Sequence, residues 1–156
     1  MNRATRRAEA REAARTVRHR ARIRPQERLA PEQIRDLALC HLENLDQIAT
    51  GNADAGTLWQ WVGGILTWSK AAELTGAGAP EMTAQLELAN DVIDRYRRTG
   101  RVIFTGPEYE SAKDGVGFMD QIAELVPKRK ASEAAGWSER RVNEMAKPSS
   151  LQETGR

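Results

Sequence analysis

Residues 57–74 read TLWQWVGGILTWSKAAEL, and this stretch sets the expected fold. On a helix, at 100° per residue, its large apolar side chains cover about half of the circumference: Leu58, Trp59, Trp61, Val62, Ile65, Leu66 and Trp68. An arc this broad predicts a central, deeply buried helix. Gly63 and Gly64 each cost roughly 1 kcal/mol relative to alanine inside a helix. We therefore expect a neighbouring helix to come close at the pair, or the helix to bend there.

Helical spacing of apolar residues predicts three more helices around this one. One begins near Pro31 and carries Ile34, Leu37, Ala38, His41, Leu42, Leu45, Ile48 and Ala49. The next begins near Pro80 and ends at Gly100, the expected left-handed cap. The last begins with a capping box, in which the Thr105 hydroxyl and the Glu108 carboxylate each bind a backbone N–H group.

Residues 101–105, RVIFT, are the one β-like stretch, and no second strand is available to pair with them. We read them as an extended connector whose apolar side chains enter the core. The sequence thus predicts an all-α fold, with a four-helix, largely antiparallel bundle over residues 29–127. A basic arm over residues 1–28 precedes this bundle.

Residues 128–156 are expected to be a mostly flexible tail with one short helix. Ser138 is the expected cap of that helix, with Trp137 and Val142 as its hydrophobic staple. Trp137 also lies among basic residues, where an indole can stack on a nucleic-acid base. The sequence favours neither role of Trp137 over the other.

Composition excludes several classes of protein. No apolar run approaches the roughly 18 residues that a membrane span needs, and the basic start lacks the apolar segment of a secretory signal. Cys40 is the only cysteine in 156 residues, so no intrachain disulfide can form. These features favour a reducing compartment, and we expect a cytoplasmic protein.

Catalytic and metal-binding patterns are weak. A metal site needs three or four suitable ligands, and His19, His41 and Cys40 are the only nitrogen or sulfur donors of that kind. Cys40 and His41 are adjacent, so their side chains point about 100° apart on a helix and do not face each other. We expect His41 to be a core histidine and Cys40 a half-buried structural residue. Carboxylate pairs such as Asp91 and Asp94 lie on polar faces. The sequence predicts no enzyme, no metal and no cofactor.

Charge divides the chain into three parts. Residues 1–28 hold ten arginines and three glutamates, a net charge of +7. Residues 29–126 carry −8 and residues 127–156 carry +3, which gives the overall +2. A basic arm, an acidic body and a mildly basic tail are therefore expected to meet different partners.

The arginines of the arm are spaced for one face of a helix. Six of them fall within a 120° arc: Arg3, Arg7, Arg11, Arg15, Arg18 and Arg22. Glu9 and Glu12 can pair within such a helix for roughly 0.2–0.5 kcal/mol each, which leaves most of the arginines unbalanced. The arm therefore needs an external anion. The alternatives are RNA or DNA, the acidic body of this or another copy, and an acidic partner protein.

Two resemblances add to this reading. The stretches TLWQWVGGILTW (57–68) and RYRRTGRVIFTGPEYESAKDGVGFMDQIAEL (95–125) resemble the layout of small helical proteins of proteobacterial phages and prophages. TRRAEAREAAR (5–15) is similar to the arginine-rich RNA-binding peptides of phage antitermination N proteins, although alanines interrupt its arginine cluster. The first implies a phage origin and a bacterial host cytoplasm; the second implies an arm that orders on nucleic acid.

The leading hypothesis from the sequence is a non-enzymatic phage or prophage accessory protein that binds nucleic acid electrostatically through the arm. The alternative is a protein–protein interaction module. Such a module would modulate a host factor or assemble with itself, using the arm or the acidic face of the bundle. An exposed apolar patch would favour the alternative.

Overall fold

The computed structural model describes residues 27–148. Five helices account for most of this range: α1 (Pro31–Ala49), α2 (Ala55–Thr75), α3 (Ala79–Thr99), α4 (Gly106–Leu125) and α5 (Lys128–Met145). Within residues 27–148 the one β-type contact is an isolated bridge between Arg28 and Pro127. The all-α prediction is therefore confirmed for the part of the chain that the structure describes.

The helix ends follow the local chemistry of the sequence. The side chain of Asp54 accepts a hydrogen bond from Thr57 N at 2.8 Å and begins α2. The predicted capping box of α4 is present, with Glu108 N donating to Thr105 Oγ1 and Thr105 N donating to Glu108 Oε2. Gly100 ends α3 in the left-handed conformation, as predicted, with φ of 70°.

Helix α2 is the centre of the bundle. It contacts all four other helices, while α1 and α3 each also pack on α4. Trp61 and Trp68 are only 2% and 3% exposed, and Leu58 and Ile65 are fully buried. The prediction of a central α2 is confirmed; Trp61 and Trp68 are core residues, and Trp59 is partly buried against the core.

The glycine pair lies where two helices approach α2. A β-carbon on Gly63 would lie 3.6 Å from Val142 Cγ2 of α5. A β-carbon on Gly64 would overlap the His41 ring of α1, at 2.8 Å from Nδ1. The expectation of a close approach is confirmed, and each glycine accommodates a different neighbour.

The tail differs from the prediction. Residues 128–145 form α5, an 18-residue helix packed on α2, so the described chain has five helices where four and a short one were expected. Ser138 does not cap this helix. It lies within the helix as a buried residue, and its hydroxyl donates to Gly63 O at 2.8 Å. The other buried residues of α5 are Ala131 and Ala134. Because all three are small, and Trp137, Val142 and Met145 are only partly buried, the apolar stripe of α5 is weak in the sequence.

The connector over residues 101–105 is extended and inserts into the core, as expected. Val102 is 5% exposed, and the Phe104 ring meets the Trp61 ring edge-on, with centroids 5.1 Å apart. Ile103, between them, points outward and is 40% exposed. Alternation along an extended segment thus supplies two core side chains.

Helix α1 is buried along its second half only. His41, Leu45 and Ile48 reach the core, whereas Leu37 and Leu42, which were predicted on the apolar stripe, are 38% and 46% exposed. Cys40 and Leu39 are also exposed, so the expectation of a half-buried Cys40 is wrong. Since α1 buries so little of its first half, that half is available for other contacts.

The Gln85 side chain of α3 packs against Gly115 of α4. Its side chain is 2% exposed and lies where a β-carbon of Gly115 would stand, and its Nε2 donates to Ser111 O at 3.0 Å. No N–H or O–H donor among residues 27–148 reaches its Oε1. Glycine on α4 therefore makes room for a polar side chain of α3.

The substitution Gly64→Ala tests the close approach of α1 to α2. The added methyl group would displace the His41 ring, and we expect a loss of about 1–3 kcal/mol in the free energy of unfolding, typical of overpacking. Gly117→Ala is the matched control, because a β-carbon there meets no atom within 4 Å and alanine favours the helix. Urea denaturation measures both. Equal stability of the two variants would contradict the packing described for Gly64.

His41 predicts a pH dependence of stability. Trp68 Nε1 donates to His41 Nε2 at 3.2 Å, and burial lowers the pKa of His41. Since the unfolded chain binds the proton more readily, stability should fall as the pH drops below about 6.5.

Thermal melting at pH 7.5 and 5.5, for the native chain and His41→Gln, measures this effect. The carboxylates titrate in both proteins, so the difference between the two pH dependences isolates His41. We expect a smaller drop in melting temperature for the variant. Equal drops would show that His41 does not couple protonation to folding.

Candidate interaction surfaces

The six predicted arm arginines lie outside the described residues, and the structure shows instead where the arm joins the bundle. Lys128 N donates to Glu27 O at 2.6 Å, next to the bridge between Arg28 and Pro127. Arg28 Nη1 donates to Glu124 O at 3.0 Å. The last two residues of the arm are therefore held between the end of α4 and the start of α5.

Basic side chains surround this junction. The first turn of α5 holds Lys128, Arg129 and Lys130, immediately beside residues 27 and 28. Arg129 is exposed and makes no ion pair within residues 27–148, while Lys130 Nζ lies 3.5 Å from a Glu133 oxygen. The partial positive charge of a helix N-terminus adds to these side chains. We call Arg28 and these three residues the basic junction.

Trp137 packs against the bundle. It is half-buried next to the core, and Lys70 Nζ of α2 lies 5.2 Å from the centroid of its ring. Val142, its predicted partner, also packs on the core. Of the two roles left open by the sequence, these contacts favour packing over base stacking.

A groove runs between the first half of α1 and the last turns of α4. Its volume is about 400 Å³, and its lining residues are Pro31, Ile34, Arg35, Ala38, Asp120 and Glu124. The four residues from α1 recur at helical steps of three and four, so they form one face of that helix. We call this space the α1–α4 groove.

The α1–α4 groove is acidic on its α4 side. Asp120 is half-buried, and burial, followed by the charge of Glu124, raises its pKa above the ordinary value. Within residues 27–148 neither carboxylate forms an ion pair. Arg28 is near but donates to the backbone oxygen of Glu124. The groove thus combines two carboxylates that have no ion pair within the described residues with the exposed Arg35 on an otherwise apolar lining.

His41 and Cys40, the groups considered for catalysis, lie in different surroundings. His41 accepts a hydrogen bond from Trp68, and Cys40 is exposed, away from the core that His41 enters. Within residues 27–148, no group of three or more His, Cys, Asp or Glu side chains is placed to hold a metal ion.

Glu108 forms an ion pair that the sequence did not reveal. Arg95 Nη1 donates to Glu108 Oε2 at 2.8 Å, and Nη2 donates to Oε1, so the contact is bidentate. These hydrogen bonds lower the pKa of Glu108 and raise that of Arg95. The pair joins α3 to α4 beside the capping box, which is a structural role.

Comparisons with protein families, with curated proteins and with solved structures find no significant match. None of the helices in residues 27–148 is long and apolar enough to cross a membrane. A function is therefore inferred from the charges and surfaces of the chain itself.

The substitution Glu124→Gln tests the electrostatics of the α1–α4 groove. Removing the neighbouring negative charge should lower the pKa of Asp120, while burial should still keep it above the ordinary value. NMR titration of the side-chain carboxyl carbons measures this, with Glu87→Gln, on the exposed face of α3, as the control. An unchanged Asp120 pKa in Glu124→Gln would show that the two carboxylates do not interact.

Proposed function

We propose that this chain is a non-enzymatic binding protein that grips RNA or DNA through its arginine-rich arm, together with the basic junction. The observation that carries the proposal is the contact of Glu27 with Lys128, at 2.6 Å. This contact places the last two residues of the arm beside the first turn of α5. In this proposal the arginines of the arm and the basic residues of that turn act on the same ligand.

Arginine is suited to this role. Its planar guanidinium group binds phosphate oxygens through two hydrogen bonds and also stacks on bases. The junction fixes the positions of Arg28, which is held by Glu124 O, and of Glu27, which is held by Lys128 N. A phosphate backbone bound by the arm would pass close to Lys128, Arg129 and Lys130. A phage or prophage accessory role, in a bacterial host, is the setting that we propose for this activity.

A protein–protein module is the second candidate. Leu39 and Leu42 are 53% and 46% exposed on α1, beside the acidic α1–α4 groove. Exposed apolar residues next to charge are typical of protein interfaces. A host protein or a second copy of this chain would then contact α1.

Fluorescence anisotropy with labelled RNA hairpins and duplex DNA, at several salt concentrations, tests the proposal. Replacing Arg7, Arg11, Arg15 and Arg18 with glutamine should weaken binding strongly. It should also reduce the slope of log K against log salt by up to about 0.9 for each duplex phosphate contact that is lost.

The same four substitutions are expected to change the free energy of unfolding by less than about 0.5 kcal/mol, because surface substitutions usually do little. This melting control separates binding from folding. If the native chain binds neither nucleic acid, even at low salt, the proposal is wrong and the protein–protein module takes its place.

A further inference from the structure

We infer that the α1–α4 groove binds the chain's own arginine-rich segment, residues 5–24, in cis, and that this contact competes with nucleic acid. The inference rests on the proposed function for its consequence, but the contact itself can be measured without any nucleic acid. The groove would then act as an internal competitor for the arm.

The shape and chemistry of the groove fit arginine. Ile34, Ala38 and Pro31 provide an apolar floor, and Asp120 and Glu124 provide carboxylates along one side. An arginine side chain buries its hydrocarbon stem on apolar surface and presents a planar fork of donors to a carboxylate. Both requirements are met in this groove.

The charge around the groove has the sign opposite to that of the arm. Helices α1 and α4 together hold nine acidic residues and two basic ones, Arg35 and Lys113. Glu108 is neutralised by Arg95, but Asp120 and Glu124 have no such partner within residues 27–148. A carboxylate that is partly removed from water without a counter-ion is costly, and a guanidinium group would offset that cost.

The arm is attached beside the groove. Arg28 is anchored at Glu124 O, and Asp120 lies one helical turn before Glu124, about 6 Å along the axis. Glu27, held at Lys128 N, is the last fixed residue, and the three residues from it back to Arg24 span at most about 10–11 Å. This span keeps Arg24 and Arg22 near the end of α4 that lines the groove, and a short tether gives a local concentration on the order of millimolar.

Docking and nucleic-acid binding compete, because Arg22, which can reach the groove, is also one of the six arginines proposed to bind nucleic acid. A docked arm reduces the fraction of the protein that is competent to bind, and the apparent Kd rises in inverse proportion to that fraction. The docked state would thus lower the affinity for ligands that bind the arm weakly, while ligands with many phosphates would displace the arm from the groove.

A nitroxide label tests the contact directly. Cys40→Ser removes the native thiol, and Gly117→Cys then places the label one turn before Asp120, where a β-carbon meets no atom within 4 Å. We expect the label to broaden the amide NMR signals of residues 5–24. High salt should relieve this broadening, as should the double substitution Asp120→Asn with Glu124→Gln.

The matched control carries the label at Gly106→Cys, at the other end of α4, where a β-carbon is equally unhindered. Absence of broadening from position 117, or equal broadening from both positions, would overturn the inference. A mixed sample, with the label on one chain and the isotope on another, checks the connectivity. Broadening in that sample would mean that a second copy occupies the groove, which also overturns docking in cis.

Nucleic-acid affinity provides the second test. Asp120→Asn with Glu124→Gln should tighten binding about fivefold, the lower end of typical coupling between sites. Glu87→Gln with Asp91→Asn removes the same charge from the exposed face of α3 and should have a clearly smaller effect. Equal effects of the two double substitutions on affinity would mean that net charge, and not the groove, determines the change. If nucleic acid fails to bind at all, the proposed function fails while the NMR result still stands.

Discussion

The close approach of α1 and α5 to the paired glycines of α2 is the contact on which the rest of the structure depends. Gly63 admits Ser138 and Val142 of α5, and Gly64 admits the His41 ring of α1. Because Gly63 and Gly64 have no β-carbon, α5 and α1 reach the backbone of α2 at two consecutive positions. The Ser138 hydroxyl then binds Gly63 O, and His41 accepts the Trp68 N–H. These two polar contacts fix the helices in place, where small side chains alone would give little specificity.

This packing also determines where the charges lie. Because α5 docks on α2, its first turn is held against Glu27 and Arg28 rather than in a separate tail. Helix α1 is fully buried only between His41 and Ile48, and its first half borders the α1–α4 groove. Residues 27 and 28 therefore lie beside both the first turn of α5 and the end of α4 that lines the groove. In our proposals the arm has two competing anionic partners, nucleic acid and the carboxylates of α4.

Periodicity and caps predicted much of the fold. The four bundle helices, the Thr105–Glu108 capping box and the inserted connector follow from local patterns, and each is present. The length of α5 and its packing on α2 were missed, because its fully buried residues are Ala131, Ala134 and Ser138, which are small and carry little hydrophobic signal. The first half of α1 was over-assigned to the core, since a stripe in the sequence does not show where a partner helix ends.

The candidate surfaces were harder to predict than the helices. The charge asymmetry was visible in the sequence and defined residues 1–28 as a basic arm. The groove was not visible, because it joins residues of α1 to Asp120 and Glu124, more than 80 positions later. The Arg95–Glu108 pair has the same origin: each residue looks like an ordinary surface charge until two helices bring them together.

The salt dependence of nucleic-acid binding by two variants of α5 tests most directly whether the arm and the basic junction form one surface. Lys128→Gln with Arg129→Gln removes two charges at the junction, and Arg140→Gln with Arg141→Gln removes two near the other end of the same helix. Our account predicts that the first pair lowers the slope of log K against log salt by up to about two, and that the second pair leaves it nearly unchanged. Equal slopes for the two pairs, or a larger loss from the second, would contradict it.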